Sequence, residues 1–217
     1  MMKSMEAEGV EPRRREPPPF QKEDAPVGIT VDRAEADDLE MAKRTVFEKY
    51  RETGLTRDSD NESPISRFLG KPETTTFVAK NHGEVLGTVS VVFGDHLPME
   101  TVFAKELQKV RENGNKVAEV CQLATKGESL TLGRRIEVLE KLFKSVRDLG
   151  VHEGIDDLVI EVNPTHQAFY ESDRFKFKKF GGPKPNPDVN DALAVALIRS
   201  LKGDLPKSFF KGSTTSH

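Results

Sequence analysis

The sequence has 217 residues, which is long enough for one sizeable domain or for two small ones. Hydrophobic residues make up 35% of the chain and charged residues 32%, and the net charge of −3 gives no general attraction to nucleic acid. The longest apolar run, residues 192–198, is far too short to span a bilayer. The single cysteine, Cys121, cannot form an internal disulfide, and no apolar signal-peptide region is present at the start. These features together predict a soluble protein of the reducing cytoplasm.

Both ends of the chain are predicted to lie outside the folded domain. Residues 1–26 contain a run of arginines, a run of prolines and many acids, with almost nothing to bury. Such a segment cannot offset the entropy lost on ordering, so we expect a disordered N-terminal tail. Residues 202–217 are expected to form a weakly ordered C-terminal tail. One domain is therefore predicted over residues 27–201.

Between these ends, strand-like and helix-like apolar patterns alternate along the chain. The predicted strands are residues 28–31, 75–80, 84–93, 116–125, 158–162, 175–180 and 192–200. The predicted helices are residues 37–51, 98–110, 134–149 and 164–171, and residues 54–73 are predicted to form a loop. The order is β α β β α β α β α β β. An antiparallel start followed by a β-α-β crossover predicts an α/β fold with helices on a mixed sheet.

Glu119 is the first candidate for a chemical role. In a strand over residues 116–125, the period of two places it on one face with Val117, Cys121 and Leu123. Burial on this apolar face would raise the pKa of the carboxylate, which could then accept a proton from an amine. The alternative is a structural glutamate that is satisfied by an arginine or by backbone amides.

Three segments carry a resemblance to known acyltransferases. The segment "NPTHQAFYESDRFKF", residues 163–177, resembles the Gcn5-related N-acetyltransferase superfamily, in which Asn, Phe-Tyr and an aromatic strand recur. The segments "LPMETVFAKELQKVRENGNKVAEVCQLAT", "EVNPTHQAFY" and "KPNPDVNDALAVAL" narrow the resemblance to the bacterial N-acyl amino acid synthases. Those enzymes are similar to acyl-homoserine-lactone synthases. The resemblance extends over roughly residues 27–201, most of a typical domain.

The resemblance implies a Gcn5-related acyltransferase-like fold, a mixed splayed β-sheet flanked by helices. In that fold the fourth and fifth strands separate, and the pantetheine arm of the acyl donor threads the gap. The resemblance also implies that Glu119 is catalytic, because the synthases carry a glutamate at this strand position. They tend to carry an arginine three residues later, whereas this chain has Gln122, which argues against a fixed Glu–Arg pair. The implied acyl and pantetheine contacts are Cys121, Gln122, Leu123, Thr125 and Asn163.

Tyr170 is the second catalytic candidate. It follows the C-terminal end of a strand, where open α/β sheets bind ligands, and a phenol there can protonate the leaving thiolate. The alternative is a core aromatic residue, as expected for its neighbour Phe169. Asn163 is either a pantetheine contact or a turn-forming residue before proline. Glu161 is either a second buried acid or an exposed edge charge.

The loop after the fourth strand bears on the donor. Coenzyme A-dependent relatives carry a glycine-rich loop there whose amides hold the pyrophosphate, but here only Gly127 and Gly133 remain, and Glu128 introduces an acid. A donor tethered to acyl carrier protein has no pyrophosphate. Basic side chains predicted to meet the acidic carrier are Lys126, Arg134 and Arg135. The alternative is a solvated helix face with the i,i+4 pairs Glu137–Lys141 and Glu140–Lys144.

Three functions are compatible with these observations. The first is a transferase that moves a medium or long fatty acyl chain from acyl carrier protein to the amine of an amino acid or similar small amine. The second is a coenzyme A-dependent N-acetyltransferase, and the third is a non-catalytic module of the same fold. No bound cofactor or metal is expected, because the five histidines show no metal-ligand spacing and no Walker loop or Gly-x-Ser-x-Gly elbow is present. The expected donor is an acyl-phosphopantetheine thioester on acyl carrier protein, alternatively acyl-coenzyme A.

Overall fold

The computed structural model describes residues 28–56, 67–127 and 130–203. Its elements, in chain order, are β1 (Thr30–Arg33), α1 (Ala36–Glu52), β2 (Thr74–Asn81), β3 (Glu84–Val92), α2 (Glu100–Glu112), β4 (Val117–Thr125), α3 (Leu132–His152), β5 (Asp157–Val162), α4 (Gln167–Glu171), β6 (Lys178–Asn186) and β7 (Ala192–Ser200). Short 3₁₀ turns precede α4 (Pro164–His166) and follow β6 (Pro187–Val189). The predicted order of strands and helices is confirmed. The predicted N-terminal tail, most of the C-terminal one and residues 57–66 of the predicted loop lie outside the described residues.

The strands form one mixed sheet in the order β1-β2-β3-β4-β5-β7-β6. The β4–β5 pair is parallel and the other neighbouring strands are antiparallel. A parallel pair needs a long crossover connection, and α3 provides it. The side chain of Thr131 begins this helix by accepting a hydrogen bond from the backbone N–H of Arg134. Within the described ranges, we find no helix with the length and apolar character needed to cross a membrane.

Helices cover both faces of the sheet. Val138, Leu142 and Val146 of α3 form one hydrophobic core with alternate residues of the strands. On the opposite face, Phe103 and Leu107 of α2 form a second core. Helix α1 packs on that second face as well, over β2, β3 and β4. The result is the α/β architecture that the order of elements predicts.

The predicted strand over residues 175–180 is partly wrong. Phe175 and Phe177 precede β6, and they are buried against Phe143 of α3 with ring centroids 4.9 and 5.9 Å away. Their alternation mimics a strand, but Lys176 between them has a φ of +57°, which is not an extended conformation. Strand β6 then continues through two prolines to Asn186. An edge strand tolerates these prolines because one side of its backbone has no ladder partner.

A β-bulge in β4 changes the side-chain pattern around the candidate glutamate. Thr88 pairs with Ala124 and Ser90 with Cys121, so β4 contains one more residue than β3 over this interval. Gln122 absorbs the extra residue with a φ of +53°. As a result Leu123 packs in the α3-side core, whereas Cys121 packs in the α2-side core. The prediction that Leu123 shares a face with Glu119 and Cys121 is therefore wrong.

Substitutions at two adjacent glycines of β6 can test the packing between the sheet and α2. A Cβ atom on Gly181 would lie 2.8 Å from Phe103 Cδ1 and 2.9 Å from the Cβ of Ala196, whereas one on Gly182 would have no neighbour within 4 Å. We expect Gly181→Ala to lower the free energy of unfolding by about 1–3 kcal/mol through overpacking. Gly182→Ala is the matched control and should leave it within about 0.5 kcal/mol. Equal denaturant midpoints for the two variants would contradict this packing.

Candidate active site

The parallel pairing of β4 and β5 stops halfway along the strands. The last paired residues are Val120 and Ile160. Beyond them β4 continues to Thr125 along β3, and β5 continues to Val162 along β7. The two strands therefore separate beside Cys121 and Glu161, as the predicted splayed sheet requires.

Glu119 lies on β4 just before this separation and is buried, with 2% of its surface exposed. Its Oε2 accepts a hydrogen bond of 2.8 Å from the backbone N–H of Met99, the residue before α2. Burial raises the pKa of Glu119 well above its ordinary value, and the neighbouring Glu161 carboxylate raises it further, while the Met99 N–H opposes both effects. Within the described residues, Glu119 has no basic partner at ion-pair distance, so a backbone amide alone holds it.

Glu161 is the second buried acid that the sequence left open. Val159 of β5 is the register partner of Glu119. Glu161 lies two residues further along β5, and residues two apart on a strand point to the same face, so the two acids share a face of the sheet. Asn186 at the end of β6 donates a hydrogen bond of 2.6 Å to Glu161 Oε2. Glu161 Oε1 is buried and has no hydrogen-bond partner among the described residues. Burial raises the pKa of Glu161, the Asn186 amide opposes this shift, and the Asp188 carboxylate adds to it, so that the pKa is about 7.

Tyr50 and Cys121 complete the group around the two acids. Burial and the nearby Glu119 and Glu161 carboxylates raise the pKa of the Cys121 thiol well above its ordinary value, so the sulfur is protonated at neutral pH. Burial also raises the pKa of Tyr50, with further contributions from Cys121, Tyr170 and both acids. Helix α1, which packs on β4, thus places a phenol within electrostatic range of both acids. Sequence reasoning missed Tyr50 because its ring fits the apolar stripe of α1, and its hydroxyl is the one feature that could have distinguished it.

Tyr170 of α4 lies beside this group and within an aromatic cluster. Its ring contacts Phe143 and Phe169 at centroid distances of 5.9 and 5.2 Å, and it also packs near Phe175 and Phe177. Burial raises the pKa of Tyr170, so its phenol is a neutral hydrogen-bond donor. Tyr170 packs with the α3-side core, and its contribution to the raised pKa of Tyr50 shows that the two phenols lie within electrostatic range of each other. The core interpretation and the catalytic interpretation are compatible for this residue.

The predicted pantetheine contacts occupy different positions around the gap. Asn163 caps the 3₁₀ turn, where its Oδ1 accepts hydrogen bonds from the backbone N–H and the hydroxyl of Thr165 at 3.0 and 2.7 Å. Gln122 is buried in the bulge, and Thr125 ends β4 opposite Gly87. Leu123 has turned toward the α3 side. Their contact with a donor remains a prediction.

The basic residues predicted to meet a carrier protein border the loop between β4 and α3. Each already has a partner within the chain. Lys126 pairs with Glu84, Arg134 pairs with Glu137 at 2.7 Å, and Arg135 Nε donates to the carbonyl of Leu130 at 3.1 Å. Of the predicted i,i+4 partners, Glu137 contacts Arg134 instead, Glu140 contacts Arg174, and Lys144 contacts Asp148.

An acid from α1 lies against the same loop. A Cβ atom placed on Gly127 would lie 3.3 Å from the Oε2 atom of Glu52. In a loop that holds a pyrophosphate, the backbone approaches the negatively charged oxygens directly. A carboxylate at this position opposes such binding, in agreement with the sequence of the loop.

The comparisons with known proteins give the chain its family. The family model described as N-acyl amino acid synthase FeeM matches residues 41–199. The chain belongs to this family. It is therefore an N-acyltransferase, and the resemblance seen in the sequence is confirmed. The solved structure of FeeM, an N-acyl amino acid synthase from uncultured soil microbes, is 28% identical and has a TM-score of 0.72, over 80% of this chain and 90% of that chain. No curated protein matches the sequence.

More distant structures show the fold alone. An N-acetyltransferase from Staphylococcus aureus Mu50 is 12% identical, with a TM-score of 0.54 over 81% of this chain and 99% of that chain. An agmatine N-acetyltransferase is 14% identical, with a TM-score of 0.57 over 79% of this chain and 99% of that chain. The predicted Gcn5-related acyltransferase fold is thus confirmed.

The buried Glu161 carboxylate should make stability depend on pH. Its pKa is raised from 4.5 to about 7, so the folded protein holds this proton more tightly than the unfolded chain. Folding is therefore penalised increasingly as pH rises from about 4.5 to about 7, and the penalty is complete above that. We expect Glu161→Gln to raise the free energy of unfolding by about 1–3 kcal/mol near pH 8 and to leave it unchanged near pH 4.

The measurement is thermal unfolding of both proteins across that pH range. Glu171→Gln changes an exposed glutamate at the end of α4 and serves as the control. A constant difference between Glu161→Gln and the wild type at every pH would contradict the burial of an ionisable carboxylate at this position.

Proposed function

We propose that this N-acyltransferase moves a medium or long fatty acyl chain from an acyl carrier protein thioester to the amine of an amino acid or a similar small amine. The observation that carries the proposal is the buried Glu119 carboxylate beside the separation of β4 and β5. Its place in a chain of the N-acyl amino acid synthase FeeM family supports the same reaction. The product would be an N-acyl amino acid or a related amide.

The chemistry begins with removal of a proton from the acceptor. An ammonium nitrogen has no lone pair, so it must lose a proton before it attacks the thioester carbonyl. Glu119 suits this step because its raised pKa makes it a stronger base than an exposed glutamate. A new N–C bond then forms and the C–S bond breaks. The departing thiolate takes a proton from Tyr170, the second proton of the nitrogen passes through solvent to restore the phenol, and Glu119 releases the first proton to solvent.

Tyr170 is the proposed proton donor to the departing sulfur. Its phenol is neutral at the pH of the reaction because burial raises its pKa. Phe143 and Phe169 pack against its ring and fix its position. A fixed donor stabilises developing negative charge more strongly than mobile water does.

Two acids in or near the β4–α3 loop favour a carrier-bound donor over free coenzyme A. Glu128 belongs to the loop sequence, and the Glu52 carboxylate lies against Gly127. Both would repel a pyrophosphate, which acyl carrier protein does not present. Arg134 and Arg135 at the start of α3 offer positive charge to an acidic partner surface. The coenzyme A-dependent reaction is the alternative that the experiments below separate.

The base assignment is tested by Glu119→Gln. This variant keeps an oxygen that can accept the Met99 N–H but cannot take a proton, so turnover should fall on the order of a hundredfold or more. Donor binding should be retained. Tyr170→Phe should lose less activity, since water can partly replace the phenol. The measurement is kcat as a function of pH with saturating acylated carrier protein.

In the wild type, kcat should decline as pH falls through the raised pKa of the base, because protonated Glu119 cannot accept the acceptor's proton. That acidic limb should be absent from the residual activity of Glu119→Gln. Its persistence at the same pH in the variant would show that Glu119 is structural and would make Glu161 the next base to test.

The donor assignment is tested by charge reversal at the start of α3. Arg134→Glu with Arg135→Glu should reduce kcat/KM for acylated carrier protein by about tenfold or more, because two acids would face the acidic carrier. Unfolding temperature should change little, because the Thr131 cap remains. Lys109→Glu is the control, since Lys109 lines a cleft with Asp157, at the other end of β5 from the strand separation.

The same assays with acyl-coenzyme A of equal chain length complete the test. We expect the coenzyme A thioester to be the poorer donor. Equal kcat/KM for both donors, together with no effect of the charge reversal, would contradict the carrier-protein assignment and favour the coenzyme A-dependent reaction.

A further inference from the structure

Glu161 keeps one buried oxygen without a hydrogen bond among the described residues. Glu119 is 2% exposed and uses Oε2 to accept the Met99 N–H. Glu161 uses Oε2 to accept the Asn186 amide, and its Oε1 is buried without a partner. Buried polar atoms are normally paired, because leaving one unsatisfied is costly. The buried Oε1 of Glu161 therefore indicates a partner that the described residues do not supply, such as a bound ligand.

The charges around Glu161 narrow the chemistry of that partner. The groups that face it or its neighbours are Glu119 and Cys121 of β4, Tyr50 of α1, Asp188 after β6, and Glu100 of α2 through Glu119. All of these are neutral or negative. The nearby basic side chains are used elsewhere, since Arg67 contacts Asp188 at 3.1 Å and Arg111 contacts Glu100 at 2.7 Å. A small cation with several N–H donors would complement this group.

We infer that the unpaired oxygen of Glu161 binds the protonated amine of the acceptor, and that Asn186 positions the Glu161 carboxylate for this contact. The inference rests on the proposed function and assigns the acceptor side of the same site. Glu161 lies on the shared strand face beside Glu119, where the two strands separate. An ammonium bound by one carboxylate can transfer its proton to the other. Glu161 is thus an acceptor-binding residue, distinct in role from the base.

This arrangement links acceptor binding to pH. An ammonium binds the ionised Glu161, and the pKa of that carboxyl is about 7 in the empty site. Affinity for the acceptor should consequently rise as pH increases through about 7, as long as the amine stays protonated. Asn186 stabilises the ionised form, so loss of its amide donor should move this dependence to higher pH.

The experiment compares an amine with its desamino analogue. The amino acid that supports the fastest transfer is first identified from the twenty common amino acids with acylated carrier protein. Its KM is then compared with the inhibition constant of the corresponding carboxylic acid that lacks the amino group. Glu161→Gln should reduce the preference for the amine by about tenfold or more, as expected for a lost charge-assisted hydrogen bond, and should leave the KM for the donor unchanged.

Asn186→Asp provides the second variant. It keeps the Oδ1 atom that accepts the Asp188 N–H, but it removes the amide that donates to Glu161. We expect the midpoint of the pH dependence of acceptor KM to move to higher pH, which a purely structural role would not produce. Asn190→Asp, in the turn that follows, is the control.

The outcomes separate this inference from the proposed function. Transfer by the wild type, with an unchanged amine preference in Glu161→Gln and an unchanged pH midpoint in Asn186→Asp, would overturn the acceptor site alone. Absence of transfer to every amino acid from either donor would overturn the proposed function, and the acceptor site with it.

Discussion

The active-site region depends on the early end of one strand pairing. Strands β4 and β5 are the parallel pair in an otherwise antiparallel sheet, and they part after Val120 and Ile160. Beyond this point β4 stays paired with β3, and β5 stays paired with β7. The facing edges of β4 and β5 are no longer paired with each other. The bulge at Gln122 lets β4 bend along β3 without losing that ladder. An extended thioester arm can complete the open edges, which is why this interruption supports an acyltransferase.

The same interruption explains how a sheet interior can hold two acids. Glu119 is held by one backbone amide and Glu161 by one side-chain amide, and neither bond neutralises the charge. Their burial raises both pKa values, so at neutral pH the site retains a proton that exposed glutamates would release. The cores on both faces of the sheet supply the compensating stability. Such a pair is destabilising for the fold and useful for a reaction that begins with proton removal.

The sequence predicts the order of elements and the buried Glu119, because both follow from local apolar periodicity. It assigns Leu123 to the wrong face of the sheet, because the residue types around Gln122 do not indicate the bulge that reverses the side-chain alternation there. It also extends a strand over Phe175 and Phe177, whose burial comes from packing on α3. The contact of Asn186 with Glu161 joins strands separated by a long stretch of chain, and no local pattern reveals it. Tyr50 was missed because local pattern does explain it: its aromatic ring fits the apolar stripe of helix α1, which gives no reason to look for a second role.

The electrostatic surroundings of the two acids suit the different roles that we propose for these chemically identical side chains. Glu119 is more deeply buried, so its proton affinity is raised by the surroundings and by the second acid. Glu161 is less buried, and its amide partner favours the ionised form. A cationic amine that enters beside Glu161 would lower the proton affinity of both carboxylates by direct attraction. In the proposed mechanism the substrate would thereby ionise the base that deprotonates it, and the acceptor itself would supply the positive charge that the described residues around the two acids do not provide.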